Sequence, residues 1–524
     1  MRKIFLSLGL IITVLACSNP LTQKDLKSPD VDFGELFREV QLKNVFPDSK
    51  TFADCTPNAD ASIILKAYNE QKNQPNFDLK QFVNDNFTLP QGFENTYKSN
   101  PNTPPQQYLN DLWAKLIRKP EGGGTLIRLR KSHPFAGLGE REMYYSDSYF
   151  AMLGLETAQK DSVIENMVIN FAQLIQDFGH IPSGNRSYYL SRSQPPYFAI
   201  MVKLLTDLKK DKNVLIQAIP QIQKEYYYWM GIEDEDKRKQ TEEARKKAAK
   251  AHRKLVFLAK DATLNRYFDE TQTPRAEAYR EDVATAKKSG RKPENIYQDL
   301  RSGAESGWYF SSRWLRDGKS LETIHTTEIA PIDLNALLYQ YEMILSEGYA
   351  ATNSPAYAKS FIELANKRKS LIDKYLWNEQ AGFYFDYDFV AGKQKDVYSL
   401  AGVYPLFFKM ATPQQAEKVA KIIESRFLQT GGLMTTLNLT GLNYDGQNGF
   451  AAFHWVAIQG LLNYGFDDLA NKIKTNWINT NLEVYKKTGK IFDKYDVLEP
   501  SKIIGSKEGF STTNGVLTKL LSEK

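Results

Sequence analysis

Apolar residues recurring at helical spacing, segment after segment, constrain this chain more than any other feature. Val163, Ile164, Met167, Val168, Phe171, Leu174 and Ile175 fall on one face, and Gly179 stands where a left-handed stop is needed. Pro195 and Pro196 then open a second helix running through Leu208. The same pattern recurs over Leu334–Leu345, Ser354–Tyr375, Pro413–Phe427, Phe453–Tyr464 and Asp467–Thr480, with short Gly- or Asn-rich connections between. Strand-like alternation is sparse. Many antiparallel helices joined by short loops predict an all-α fold, and periodicity leaves bundle and toroid both open.

The 524 residues, 42% of them hydrophobic, are ample for a large core. Lys and Arg outnumber Asp and Glu by only 68 to 62, dispersed along the chain, which gives no footprint for nucleic acid. The basic run over 233–256 alternates with Glu and Ala and has almost no apolar face, so it reads as a solvated helix.

The N-terminus follows an export pattern: Arg2 and Lys3, an apolar stretch from Ile4 to Leu15, then Ala16 before Cys17. Residues 1–16 are expected to be a signal peptide. Val14 to Cys17 resemble a bacterial lipobox, in which Cys17 becomes the lipidated first residue of the mature chain; a plain cleavable signal is the alternative. Ser18 after Cys17 favours the outer membrane of a Gram-negative bacterium, facing the periplasm or the cell surface. Residues 17–45, polar and proline-punctuated, are expected to be a tether, with the folded body over 46–524. Cys55 would then be the sole remaining cysteine, so no intrachain disulfide is possible.

The loops between helices are rich in aromatic rings, carboxylates, amides and guanidinium groups, the set that stacks on sugar faces and fixes hydroxyls. They include residues 133–150, 273–282, 302–314, 437–455, 491–497 and 508–515. No metal-spaced cluster, GxSxG or phosphate loop is present, so no cofactor or metal is expected.

VFPDSKTFADCTPNADASIILKAY (45–68), FVNDNFTLP (82–90), IPSGNRSYYLSRSQPP (181–196), LNRYFDE (264–270), AESGW (304–308), FSSRW (310–314) and DLNALL (333–338) all resemble the trehalase family of glycoside hydrolases. The resemblance spans roughly residues 45–520. It implies an (α/α)₆ toroid and inverting hydrolysis of α,α-trehalose, or a related α-glucoside, to glucose. That chemistry uses one carboxylic acid on the leaving oxygen and a second carboxylate on water.

The resemblance places Tyr309 where the family has its general-acid Asp, and Asp493 where it has its general-base Glu. A phenol with an ordinary pKa near 10 is poorly matched to protonating a glycosidic oxygen at neutral pH. It implies substrate contacts from Asp147, Arg192, Ser193, Gln194, Arg275, Glu277, Gly307, Trp308 and Asp445, with Asp147 and Asp445 in the pocket. Ser146 replaces a family Trp, Gly139 an Arg, and the glycine-rich lid gives way to the sequence around Lys502–Lys507. Arg192 and Gln194 also read as loop braces, Trp308 and Trp455 as core, and Glu305 as a buried carboxylate or a rescue acid. Two functions follow, a trehalase-like hydrolase of a small-molecule sugar or a sugar-binding pseudoenzyme; a monomer is expected.

Overall fold

The computed structural model describes residues 26–90 and 99–523. Six helices form a closed inner ring: Tyr145–Thr157, Phe198–Lys209, Ile332–Ala351, Tyr404–Phe407, Ala451–Leu462 and Ser511–Ser522, each packed on the next and the last on the first. Outer helices alternate with them along the chain: Pro105–Leu116, Asp161–Phe178, Asn213–Met230, Pro355–Tyr375, Pro413–Ile422 and Asp467–Thr488. This is the (α/α)₆ toroid, so of the two all-α arrangements left open by periodicity the ring is realised.

Inner and outer helices differ in composition for a physical reason. An inner helix is covered on every side, so Ala451–Leu462 and Tyr145–Thr157 bury nearly every residue, whereas Pro355–Tyr375 buries only a stripe containing Ala358, Phe361, Ala365, Arg368 and Ile372. Ring closure depends on two glycines: a Cβ on Gly154 would sit 2.5 Å from Gly515 Cα, and one on Gly515 would sit 2.1 Å from the Phe150 carbonyl oxygen. No side chain fits between these helices.

Buried polar groups in the ring are hydrogen-bonded to one another. The Tyr145 hydroxyl accepts from the amides of Tyr197 and Phe198 at 2.9 and 2.8 Å, and Tyr341 Oη accepts from Ala199 N at 3.1 Å. These are first-turn amides of an inner helix, which lack intrahelical partners. Both tyrosines then donate to Glu225, at 2.8 and 2.5 Å. Elsewhere Arg313, fully buried, forks onto Asp333 and Asp386 at 2.9–3.1 Å.

One expectation needs correction. The tether was placed over 17–45, yet Pro29–Leu42 is helical and buries Phe33, Leu36, Phe37 and Val40 in a second apolar cluster with Phe52, Ile64, Phe82, Tyr144, Tyr188 and Tyr189. Those four side chains repeat at i, i+3, i+4 and i+7, a packing stripe within a segment that is polar on average. Strand is sparse, as expected, and residues 251–265 form a three-stranded antiparallel sheet. The charged helix Glu235–Lys246 is exposed as expected, burying only Thr241. The signal peptide and Cys17 lie outside the described residues. Cys55 is buried as a free thiol that donates to the Thr51 carbonyl, and among the described residues no helix is long and apolar enough to cross a membrane.

Candidate active site

A cavity of about 200 Å³ opens at the N-terminal ends of five of the six inner helices. The helix starting at Tyr145 supplies Ser146, Asp147 and Phe150; Pro195, Tyr197 and Tyr404 come from the next starts around the ring; Phe450 to Phe453 and then Phe510 and Thr512 complete it. Two loops add the rest. The helix Pro293–Glu305 ends at Gly307, whose φ of +76° turns Trp308 and Tyr309 into the cavity. The segment after Ile491 brings Asp493, Ser506 and Lys507.

Asp493 is held by the backbone: its Oδ1 accepts from the amides of Ser506 and Lys507, both at 2.9 Å. Two N–H donors on one oxygen fix the carboxylate and leave Oδ2 for a water. Asp147 contrasts with it. Its one side-chain donor is Thr512 Oγ1 at 3.1 Å, and burial lifts its pKa above the ordinary carboxylate range against the pull of Thr512 and Lys507.

Tyr309 stands at the mouth, 38% exposed. Burial around its hydroxyl, with the negative charges of Asp147 and Glu140, pushes the phenol above its ordinary value, although Lys507 opposes the shift. Lys507 is paired to Glu140 at 3.0 Å. Its pKa is raised: burial disfavours the ammonium, but Glu140 and neighbouring groups more than compensate.

The opposite wall is aromatic. Trp308 stacks on Phe453 at 4.2 Å, Tyr444 on Phe450 at 4.5 Å and nearly parallel, and Tyr309 lies 5.5 Å from Tyr444. Arg313 sits under Trp308 at 4.4 Å, so the buried ion cluster props the ring that lines the cavity.

Of the expected site residues, Asp147, Gly307, Trp308, Tyr309 and Asp493 line the cavity together. Six others do not. Asp445, expected in the pocket, is turned into the protein, where Ser311, Ser312, Thr436 and Thr440 hydroxyls and the Ser312 amide all donate to it. It braces the FSSRW loop. Arg275 is clamped on Asp282 at 2.6 and 2.9 Å. Arg192 and Glu277 pair with each other, and although burial works against it, Arg192 and Arg275 hold Glu277 below its ordinary pKa. Arg192 rests on Tyr189, which packs edge-on against the lining residue Tyr144. Nε and Nη1 of Arg192 and Oε2 of Glu277 are buried with no partner.

Gln194 accepts from the amide and hydroxyl of Ser146 at 3.0 and 2.9 Å, and Ser193 N donates to Glu305 at 2.9 Å. Glu305 is fully buried on Lys254 at 2.6 Å, which realises the buried-carboxylate reading and not the rescue acid. Lys507, Thr512 and Tyr144 are lining residues that sequence reasoning did not single out. Lys507 and Thr512 fall within or beside the loop at 508–515, and Tyr144 within the loop at 133–150, that composition marks. Away from the cavity, His325, Glu328 and Asp388 approach one another, but Arg316 and Lys395 already face them at 2.6 and 2.9 Å.

The sequence matches the Trehalase family over residues 44–524. The chain belongs to the trehalase family. It is 42% identical over 503 residues to a periplasmic trehalase of Escherichia coli O45:K1, covering 94% of this chain and 87% of that protein. A periplasmic trehalase of Salmonella newport is 42% identical with 94% and 86% covered. The neutral trehalase of Saccharomyces cerevisiae superposes with a TM-score of 0.60 at 22% identity over 80% of each chain. A mannosylglycerate hydrolase of Thermus thermophilus does so at 0.54 and 17%, over 79% of this chain and 99% of that one. These two likenesses concern the toroid alone.

Proposed function

We propose that the protein is an exported inverting α-glucoside hydrolase that cleaves α,α-trehalose or a related α-glucoside to glucose. The observation that carries this reading is Asp493, a carboxylate lining the cavity and aimed by two backbone amides. Asp493 takes a proton from water as the water attacks the anomeric carbon from the face opposite the leaving oxygen. Asp147 holds a sugar hydroxyl in the cavity, Trp308 borders the sugar with its edge, and Tyr309 stands where the leaving oxygen departs. Arg192, Glu277, Ser193, Gln194 and Arg275 lie behind the cavity lining and brace it, Gln194 through Ser146 and Arg192 through Tyr189 and Tyr144, while Gly307 turns Trp308 and Tyr309 toward the sugar.

A second reading is favoured by one observation: the phenol at the acid position has its pKa raised, so it releases a proton less readily than a free tyrosine. A trehalose-binding protein with residual turnover fits that chemistry. Titration calorimetry with trehalose beside a glucose-release assay separates the readings. Turnover lost by at least about 10²-fold in Asp493→Ala supports the hydrolase; binding with no release in the native protein supports the binder.

The chain is further proposed to be periplasmic, as the names of its bacterial relatives say of them. Removal of residues 1–16 and lipidation of Cys17 would anchor it to the outer membrane through a short tether. A monomer suffices, since one chain supplies the whole cavity.

A further inference from the structure

We infer that Lys507 is a positioning residue for Asp493: moored to Glu140 across the cavity edge, it holds the backbone amide that aims the carboxylate at water. The inference rests on the hydrolase reading above and adds to it a residue that acts through the base.

Both donors on Asp493 Oδ1 are amides of one surface segment, 505–509, which follows the exposed stretch 501–503 and in which Ser506 is itself exposed. No helix of the ring aims this carboxylate. The segment runs antiparallel to 491–493: Phe492 pairs with Glu508, the Asp493 amide donates to the Lys507 carbonyl at 3.1 Å, and the Gly509 amide donates to the Ile491 carbonyl at 2.8 Å. Lys507 therefore meets Asp493 twice, through its carbonyl and through its amide.

On its other side the segment is held by the loop that leads into the inner helix Tyr145–Thr157. The Leu138 amide donates to the Glu508 carbonyl at 3.0 Å, and Lys507 Nζ reaches Glu140 at 3.0 Å. Glu140 is presented by a turn, its amide donating to the Gly137 carbonyl at 3.2 Å over Gly139, whose φ of +87° suits glycine. The ion pair thus ties the base to the wall that carries Asp147.

The lysine side chain is confined as well as paired. Its ammonium lies 5.4 Å from the Tyr144 ring and 5.9 Å from the Phe510 ring. Burial works against the charge, yet Glu140, Tyr309 and Asp493 keep it protonated. A part-buried pair of this kind adds little to global stability. Its consequence is local, because it decides where the amide of residue 507 stands. In the proposed reaction water gives its proton to Asp493 as it attacks the anomeric carbon, and misplacing such a group by about 1 Å costs up to about a hundredfold in rate.

The test measures hydrolysis of α,α-trehalose and of α-glucosyl fluoride by the full chain. Lys507→Met should lower kcat by about ten- to a hundredfold with KM nearly constant, and by the same factor on both substrates. Fluoride departs without a proton donor but water must still be activated, so equal losses assign the effect to Asp493 and not to Tyr309. Lys507→Arg, which keeps the mooring, should retain most of kcat, and Glu140→Gln should reproduce part of the loss. Added to Asp493→Ala, Lys507→Met should change the residual rate by less than about twofold, because residues that act as a unit are not additive. Each variant is checked for an unchanged circular dichroism melt, and if Lys507→Met does not fold, Glu140→Gln carries the same comparisons. An unchanged kcat, a loss confined to trehalose, a rise in KM alone, or full additivity with Asp493→Ala overturns the inference, while turnover by the native protein leaves the hydrolase reading standing. A native protein that cleaves neither substrate overturns both.

Discussion

Beneath the cavity, Arg313, Asp333, Asp386, Asp445, Glu225 and their partners form buried networks in which each carboxylate has its donors. At the mouth, Tyr309 is exposed, Asp147 has one side-chain donor, and Lys507 bridges to Glu140 across the edge. Both regions consist of charged and aromatic residues. The frame's carboxylates each meet several donors inside the protein, whereas at the mouth Asp147 meets one side-chain donor and Tyr309 stays part-exposed, which leaves these two room to answer to a ligand.

The sharpest way to break that contrast is to remove a frame residue. Arg313→Met would leave two carboxylates buried without their cation and withdraw the support under Trp308. The expected loss is about 3–5 kcal/mol of stability, read by urea denaturation. If instead the variant folds normally, the distinction between frame and mouth fails.

A subtler frame effect comes from Glu225, whose pKa burial raises to about 7 despite the hydroxyls of Tyr341 and Tyr145. The unfolded chain releases this proton near 4.5, so between the two values the folded state holds a proton that the unfolded state lacks. Stability from this group is complete below pH 4.5 and is lost as pH rises through 7, by up to about 3 kcal/mol. The melting temperature should fall between pH 5 and 8, and Glu225→Gln should flatten that slope. A stability that rises over the same range would contradict the assignment.

Much of this frame could be read from the sequence because helical periodicity is local: the stripes at 163–175 and 354–375 meet their helices within a few residues. The helix at Pro29–Leu42 was hidden because a four-residue apolar stripe is diluted by polar neighbours. The site was harder. Asp445 and Asp147 look alike as sequence, and what separates them is whether Ser311, 134 residues away, joins the nearby Thr436 and Thr440 on the carboxylate. Arg192 and Glu277 pair only once the chain brings positions 85 residues apart together. A motif thus identifies the frame well, yet says little about which of its charges remain free.

The last test works at the mouth, where stability should barely respond. Tyr309→Asp puts a carboxyl group where the proposed reaction would protonate the leaving oxygen. Asp147 and Glu140, which raise the phenol now, would likewise raise the new carboxyl and keep part of it protonated near neutral pH. Trehalose cleavage should then rise by about ten- to a hundredfold, the lower part of what a general acid contributes, while α-glucosyl fluoride, which needs no acid, changes little. Asp493 is one methylene shorter than the family Glu, so the full gain is not expected. An increase confined to trehalose would show that the mouth alone limits the reaction. If native turnover of trehalose is already rapid and the variant adds nothing, Tyr309 is no lesion, and the line between frame and mouth does not separate folding from catalysis.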